Sequence, residues 1–253
     1  MNMNSQRMKQ LTAGCRKLVI GYLVAAYPDR ERFFDVLKES ARGLDVLELG
    51  YPSEKPYLDG HLIQEAHAGA DRKAASDPEY WRRIREATDA PVWVMAYRED
   101  FVDTGVYRVL AEKRLIDAVV LPDTGHDQLA AIAEELAPFG VDVVRFLNPG
   151  MTETEMDSEL DGASLVYEQL YEGKTGEANH ESHYAGMLAY SRAHSDAACY
   201  AGFGISTREK VEEVISAGFD GAIIGTELIR RLNISLKEFG DFIENVHQAV
   251  EKA

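Results

Sequence analysis

The sequence predicts a closed (β/α)8 barrel, and three observations predict it. Apolar, β-rich runs alternate with amphipathic helical runs along all 253 residues, each pair taking roughly 25 to 35 residues. Eight β-rich runs can be counted, at 18–25, 44–50, 92–97, 118–121, 141–147, 163–167, 197–202 and 221–225. No Pro-, Gly- or Ser-rich linker interrupts the series, and one such barrel typically takes about 250 residues. The reading is therefore a single barrel domain over residues 1–253.

The first run belongs to the longest apolar stretch, residues 18–27, which is half of the roughly 20 residues needed to cross a bilayer. It reads as a core strand. Most of the later runs are also apolar throughout rather than alternating, as strands are when helices cover both faces of a parallel sheet. Between them, residues 30–41, 77–88, 127–137 and 208–217 carry apolar positions three and four apart, which marks helices. Gly218 stands where a helix end needs a left-handed residue, just ahead of the last strand. Ser206 and Glu209 have capping-box spacing at the start of the helix before it.

Composition narrows the function. With 27 Lys and Arg against 43 Asp and Glu, the net charge is −16, and no basic stripe offers a surface for nucleic acid or an anionic membrane. The opening MNMNSQRMKQ has no apolar segment of the secretory kind, and Cys15 and Cys199 are far apart with no CxxC. A reducing, cytoplasmic setting is the expectation.

In a (β/α)8 barrel the chemistry belongs at the C-terminal ends of the strands. Glu48 lies in the apolar run 44–50, and a carboxylate there must be desolvated, paired or protonated. It suits proton transfer near neutral pH, the alternative being a structural acid tied to backbone or Arg. Asp59 sits in the next loop, before a helical run, where Asp-Gly is also a common turn or cap. Together the two allow one group to move a proton while the other stays ionised.

Two glycine-rich strand ends follow near the C-terminus, Gly202-Phe203-Gly204-Ile205-Ser206-Thr207 and Gly225-Thr226-Glu227. Exposed N–H groups where helices begin make a phosphate cradle, and in this fold it usually follows strands 7 and 8. A dinucleotide reading is weak, because Thr207 stands where the third glycine is required. The stretch 168–177 after the sixth strand has the composition of a lid or of an ordinary surface loop. His180 and His183, with Glu177 nearby, lack a further ligand, so no metal site is expected.

These residues resemble the α subunit of tryptophan synthase over nearly the whole chain. The resemblance rests on Leu47-Glu48-Leu49-Gly50-Tyr51-Pro52, on Pro56-Tyr57-Leu58-Asp59-Gly60 and on Ile63-Gln64. Tyr22 and Pro28, Val119 to Asp123, Thr175-Gly176, the GFGIS stretch at Gly202 to Ser206, and Gly225-Thr226 add to it. It implies a cofactor-free lyase that cleaves indole-3-glycerol phosphate to indole and glyceraldehyde 3-phosphate. Glu48 would move protons between the glycerol hydroxyl and indole C3, and Asp59 would hold the indole N–H. Tyr22, Met95, Val120, Leu147, Tyr167 and Phe203 would wall the indole pocket with Thr175 beside them. Gly176, Gly204, Gly225 and Thr226 would hold the phosphate.

Four positions depart from the family pattern. Lys55 replaces an Asp that normally faces the β subunit, which argues against a standard β partner. Val24-Ala25-Ala26-Tyr27-Pro28 replaces a more polar strand end, and Glu227 replaces a small residue beside the phosphate, with Lys174 as a counter-charge. Arg145, two residues before Leu147, is expected to share its face in the barrel interior and to need an anionic partner. Two further readings stay open: a related barrel enzyme acting on a different phosphorylated substrate, and a low-activity ligand-binding regulatory subunit.

Overall fold

The computed structural model describes residues 3–171 and 184–251. Eight parallel strands form a closed barrel in chain order: β1 (Leu18–Val24), β2 (Val46–Gly50), β3 (Val92–Met95), β4 (Ala118–Val120), β5 (Asp142–Leu147), β6 (Leu165–Gln169), β7 (Ala198–Gly202) and β8 (Gly221–Ile224). Closure is direct, because Leu18 of β1 lies in register with Gly221 of β8. The helices expected from periodicity are present at Arg32–Ser40, Pro78–Ala87, His126–Leu136 and Arg208–Ser216.

Continuous apolar runs follow from two separate apolar environments. One face of the strands fills the barrel with Leu18, Ile20, Val46, Trp93, Ala118, Val120, Val144, Leu165, Tyr200 and Ile223. The opposite face packs against the helices, through residues such as Val19, Leu47, Val94, Val119, Val143 and Leu147. Strand alternation then decides which side chains reach the mouth: Tyr22 and Glu48 are cross-strand neighbours in register, and both lie on the inner face.

The N-terminal end of the barrel is sealed. The helix Gln6–Thr12 lies beneath the strands and buries Met8, and Met3 with Met8 joins the interior cluster. Its entry is fixed by aspartates at the strand starts: Asn4 and Ser5 donate backbone N–H groups to Asp142 at 2.7 and 2.9 Å, and Ser5 Oγ donates to Asp117. Asp45, Asp117 and Asp220 likewise accept the N–H of Val19, Val92 and Cys199. Backbone N–H groups at or next to the strand starts thereby find acceptors.

Sequence expectations fail at three places. The sixth strand does not stop at Tyr167 but runs to Gln169, which turns Glu168 outward and fully buried while Gln169 faces the cavity. In sequence, a polar pair at a strand end reads as loop. The helix start near Ser206 is capped instead by Thr207, whose hydroxyl accepts from Lys210 N–H, so the box spacing falls one residue out of register. Arg145 and Leu147 do share a face, but it is the outer one.

Candidate active site

A cavity of about 660 Å3 opens at the C-terminal ends of the strands. Among its walls are Tyr22, Glu48, Asp59, Met95, Val120, Phe146, Tyr167, Phe203, Gly204, Gly225 and Thr226. Strand ends and the loops after them bring together residues separated by as much as the length of the barrel sequence.

Glu48 enters from β2 and is 2% exposed. Burial, reinforced by the negative charge of Asp59, pushes its carboxyl up to about 8, because removing a carboxylate from water penalises the charged form. Asp59 faces the same space from the loop after β2 and is equally buried. Its Oδ2 accepts a 2.7 Å hydrogen bond from Tyr97 Oη, and the phenol in turn accepts from Leu58 N–H at 3.1 Å. Tyr97 holds its proton well above the ordinary range, through burial and the neighbouring Asp59. Gln64 fixes the loop by donating its side-chain amide to Asp59 O at 2.9 Å.

A buried histidine lies behind these groups. His67, on the helix His61–Gly69, is fully buried, and Ser53 N–H donates to its Nδ1 at 3.0 Å. The accepting nitrogen carries no proton, so Nε2 must carry it and donate to Tyr22 Oη, also 3.0 Å away. Burial, with Arg72 adding to it, lowers His67 to about 4 and keeps the ring neutral. The Tyr22 hydroxyl fits there because Gly50 lacks a Cβ, which would lie 2.3 Å from Oη. Neither Tyr97 nor His67 was singled out from the sequence. Tyr97 carried the weak signal of an aromatic at a strand end, whereas His67 sits among Ile63 and Ala66 on an apolar helix face and carries none.

The opposite wall is aromatic. Phe146, Tyr167 and Phe203 pack in a triangle with centroids 5.0, 6.1 and 5.9 Å apart. Phe146 supplies the β5 wall that Leu147 was expected to supply; Leu147 is buried against the helix layer instead. Phe203 and Gly204 both have left-handed backbones, with φ of 67° and 73°. A Cβ on Gly204 would meet the Tyr171 ring at 2.3 Å, so both the contact and the backbone favour glycine there. Beyond it, Gly225 caps the helix Thr226–Ile234. Thr175, Gly176, Lys174, Glu177, His180 and His183 lie outside the described residues, and the lid reading lies there with them. Among the described residues no group of three His, Cys, Asp or Glu side chains could hold a metal ion, and no helix is long and apolar enough to cross a membrane.

A family model described as "Tryptophan synthase alpha chain" matches residues 8–252. The chain belongs to the tryptophan synthase alpha chain family. Among curated relatives, the tryptophan synthase alpha chain of Methanopyrus kandleri is 31% identical, with 87% of this chain and 82% of that one covered. That of Methanosarcina mazei is 29% identical, covering 89% and 85%. A structure of Mycobacterium tuberculosis tryptophan synthase superposes with a TM-score of 0.84 at 21% identity over 97% of this chain and 98% of that one. A structure of the tryptophan synthase a2b2 complex from the hyperthermophile Pyrococcus furiosus gives 0.78 at 22% identity over 94% and 99%.

Against the tryptophan synthase alpha pattern, each departure has a structural setting. Lys55 is exposed in the loop after β2, beside the exposed Tyr57 and Leu58. At the end of β1, Tyr27 Oη donates to Asn233 at 2.5 Å and Asp71 N–H donates to Ala26 O, so other groups tie this segment down. Glu227 does not point to solvent: it is 6% exposed and paired with Arg230 and Arg231, the latter at 2.7 Å. Arg145 meets Glu159 at 3.6 Å between sheet and helix, and His126 approaches the other oxygen of Glu159 at 3.4 Å. Its anionic partner is therefore internal, though not in the barrel interior.

Proposed function

We propose that this carbon–carbon lyase of the tryptophan synthase alpha type splits indole-3-glycerol phosphate with Glu48 and Asp59 as its catalytic pair. Family membership supports the reaction, and one observation carries the residue roles: two buried carboxylates in different environments face one cavity whose far side is a glycine-lined helix start. Near neutral pH Glu48 holds a proton and can deliver it to indole C3. The carboxylate left behind then takes the proton of the glycerol hydroxyl, the oxygen forms the aldehyde, and the broken carbon–carbon pair returns to the ring. Asp59, oriented by Tyr97, accepts from the indole N–H and steadies the positive charge that ring protonation creates.

Met95, Val120, Phe146, Tyr167 and Phe203 shape the apolar pocket, with Tyr22 adding a hydroxyl at its edge; Gly204, Gly225 and Thr226 hold the phosphate. The test is indole release from indole-3-glycerol phosphate by the purified chain. Loss of turnover by about 10²-fold or more in both Glu48→Gln and Asp59→Asn is expected, and undiminished turnover in either variant would remove that residue from the mechanism.

A tryptophan synthase β subunit is the partner we assign to the rim beside the loop after β2, where Tyr57 is 54% and Leu58 38% exposed. The charge of Lys55 selects a β partner acidic at that point; a standard β subunit that leaves the rate and the sedimentation of the chain unchanged fits this, whereas tight association removes the Lys55 constraint. The cytoplasm is the compartment we assign, on the free Cys15 and Cys199.

A further inference from the structure

The described lining of the cavity is poorly charged for an anionic substrate. Glu48, Asp59, Glu159 and Glu227 all line it, and Arg230 is the one cation among its described lining residues. A helix start offers a phosphate about half a unit of positive charge, and here that place is contested. Glu227 occupies the first turn of the helix Thr226–Ile234, where the same dipole favours its carboxylate. A phosphate monoester entering beside Gly225 and Thr226 would meet an ionised acid close by, at strongly unfavourable Coulomb energy in a partly enclosed site.

The arginines resolve this conflict. Glu227 is gripped from three and four residues along by Arg230 and Arg231, so its negative charge is offset, and with Glu238 on Arg231 the linked group is neutral with Arg230 as its cavity-facing cation. The two arginines differ in what else they do. Arg231 turns away from the cavity, pairing with Glu238 at 3.3 Å and lying 5.3 Å over the ring of Phe242. Arg230 lines the cavity and is 53% exposed, and Glu227 is its ion-pair partner among the described residues. It also stands four residues after Thr226, hence on the same helix face one turn further on.

We propose that Arg230 is a phosphate-binding residue of this enzyme and that Glu227 serves as its placeholder in the unliganded state. Glu227, retained by Arg231, holds Arg230 at the rim of the glycine cradle. A guanidinium presents five N–H donors in a plane, enough to keep one edge on Glu227 and turn another to a phosphoryl oxygen. A phosphorylated ligand is all that this requires. The lyase reading supplies only the identity of the ester.

Titration calorimetry on the full chain separates the possibilities, with glycerol 3-phosphate as the anionic probe and indole as the probe without phosphate. Arg230→Gln is expected to weaken glycerol 3-phosphate about tenfold, as loss of a charge-assisted contact does, and to leave indole binding within about twofold. Arg230→Lys should recover part of the loss, and Glu227→Gln should tighten the ester several-fold by removing the competing anion. In turnover, Arg230→Gln should act mainly by raising KM. Ester affinity unchanged in Arg230→Gln, equal loss of ester and indole binding, or a folded parent chain that does not bind glycerol 3-phosphate would each overturn the proposal. Ester binding that depends on Arg230 in a chain that releases no indole would support it while refuting the lyase reading.

Discussion

Replacing Glu48 by Gln removes a group that the fold keeps in its acid form, and the consequence for stability can be worked out. The carboxyl moves from an ordinary value of 4.5 to about 8 on folding, and each pH unit between the two corresponds to about 1.4 kcal/mol. The whole interval amounts to about 5 kcal/mol. Because the folded value is the higher one, the stabilisation is fully present below 4.5 and is lost as pH rises through about 8. A glutamine does not titrate. Unfolding the parent and Glu48→Gln in urea at pH 5, 7 and 9 should therefore show the variant gaining on the parent with each step, by about 4 kcal/mol between pH 5 and pH 9. Asp59→Asn removes the second cause of the shift and should move the upper edge of that window downward, with burial still holding it above 4.5. Stability curves for parent and Glu48→Gln that run parallel from pH 5 to 9 would refute a raised carboxyl at Glu48.

The remaining predictions concern residues around that centre. Tyr97→Phe removes the donor to Asp59 and should lower kcat/KM by roughly 10- to 100-fold, read from indole release, with the melting temperature little changed. Gly204→Ala places a Cβ 2.3 Å from Tyr171 on a backbone at φ 73° and should cost about 1–3 kcal/mol of stability together with binding of glycerol 3-phosphate. His67 has a lowered folded value of about 4, so its neutral form stabilises the chain above about 6.5, and that contribution is lost as pH falls toward 4. His67→Asn should flatten this acid limb of the urea stability curve. Glu168, pushed up to about 7 by burial, has the same sign as Glu48, so Glu168→Gln should stabilise the chain at pH 8 relative to pH 5, measured by the same unfolding series.

The strands were readable because both of their faces meet apolar layers, so each run stays hydrophobic from end to end. That same property hides which face a residue takes. Phe146 and Leu147 are both apolar, and hydropathy alone gives no reason to place one inside and the other out. Arg145 could have decided it: a guanidinium can find a carboxylate on a neighbouring helix, as it does with Glu159, more readily than in a barrel centre filled by Trp93, Val144 and Tyr200. Glu168 was hidden for the opposite reason, since a carboxylate buried in the layer between sheet and helix breaks the rule that identifies a strand. Glu48 could be found because it is a charge inside an apolar run, and Asp59 because it follows Glu48 by one loop within the matching family motif. Tyr97 and His67 act across loops, through the Leu58 and Ser53 N–H groups, and no local pattern records such bonds.

The helix beneath the barrel also bears on traffic. With Met3 and Met8 stoppering the floor and Trp93 packed edge-on to Tyr200 above them, the described residues fill the axial route downward. Entry and release then converge on the upper opening that the described residues leave, so a protein seated on that rim would act as a valve on both directions of flow.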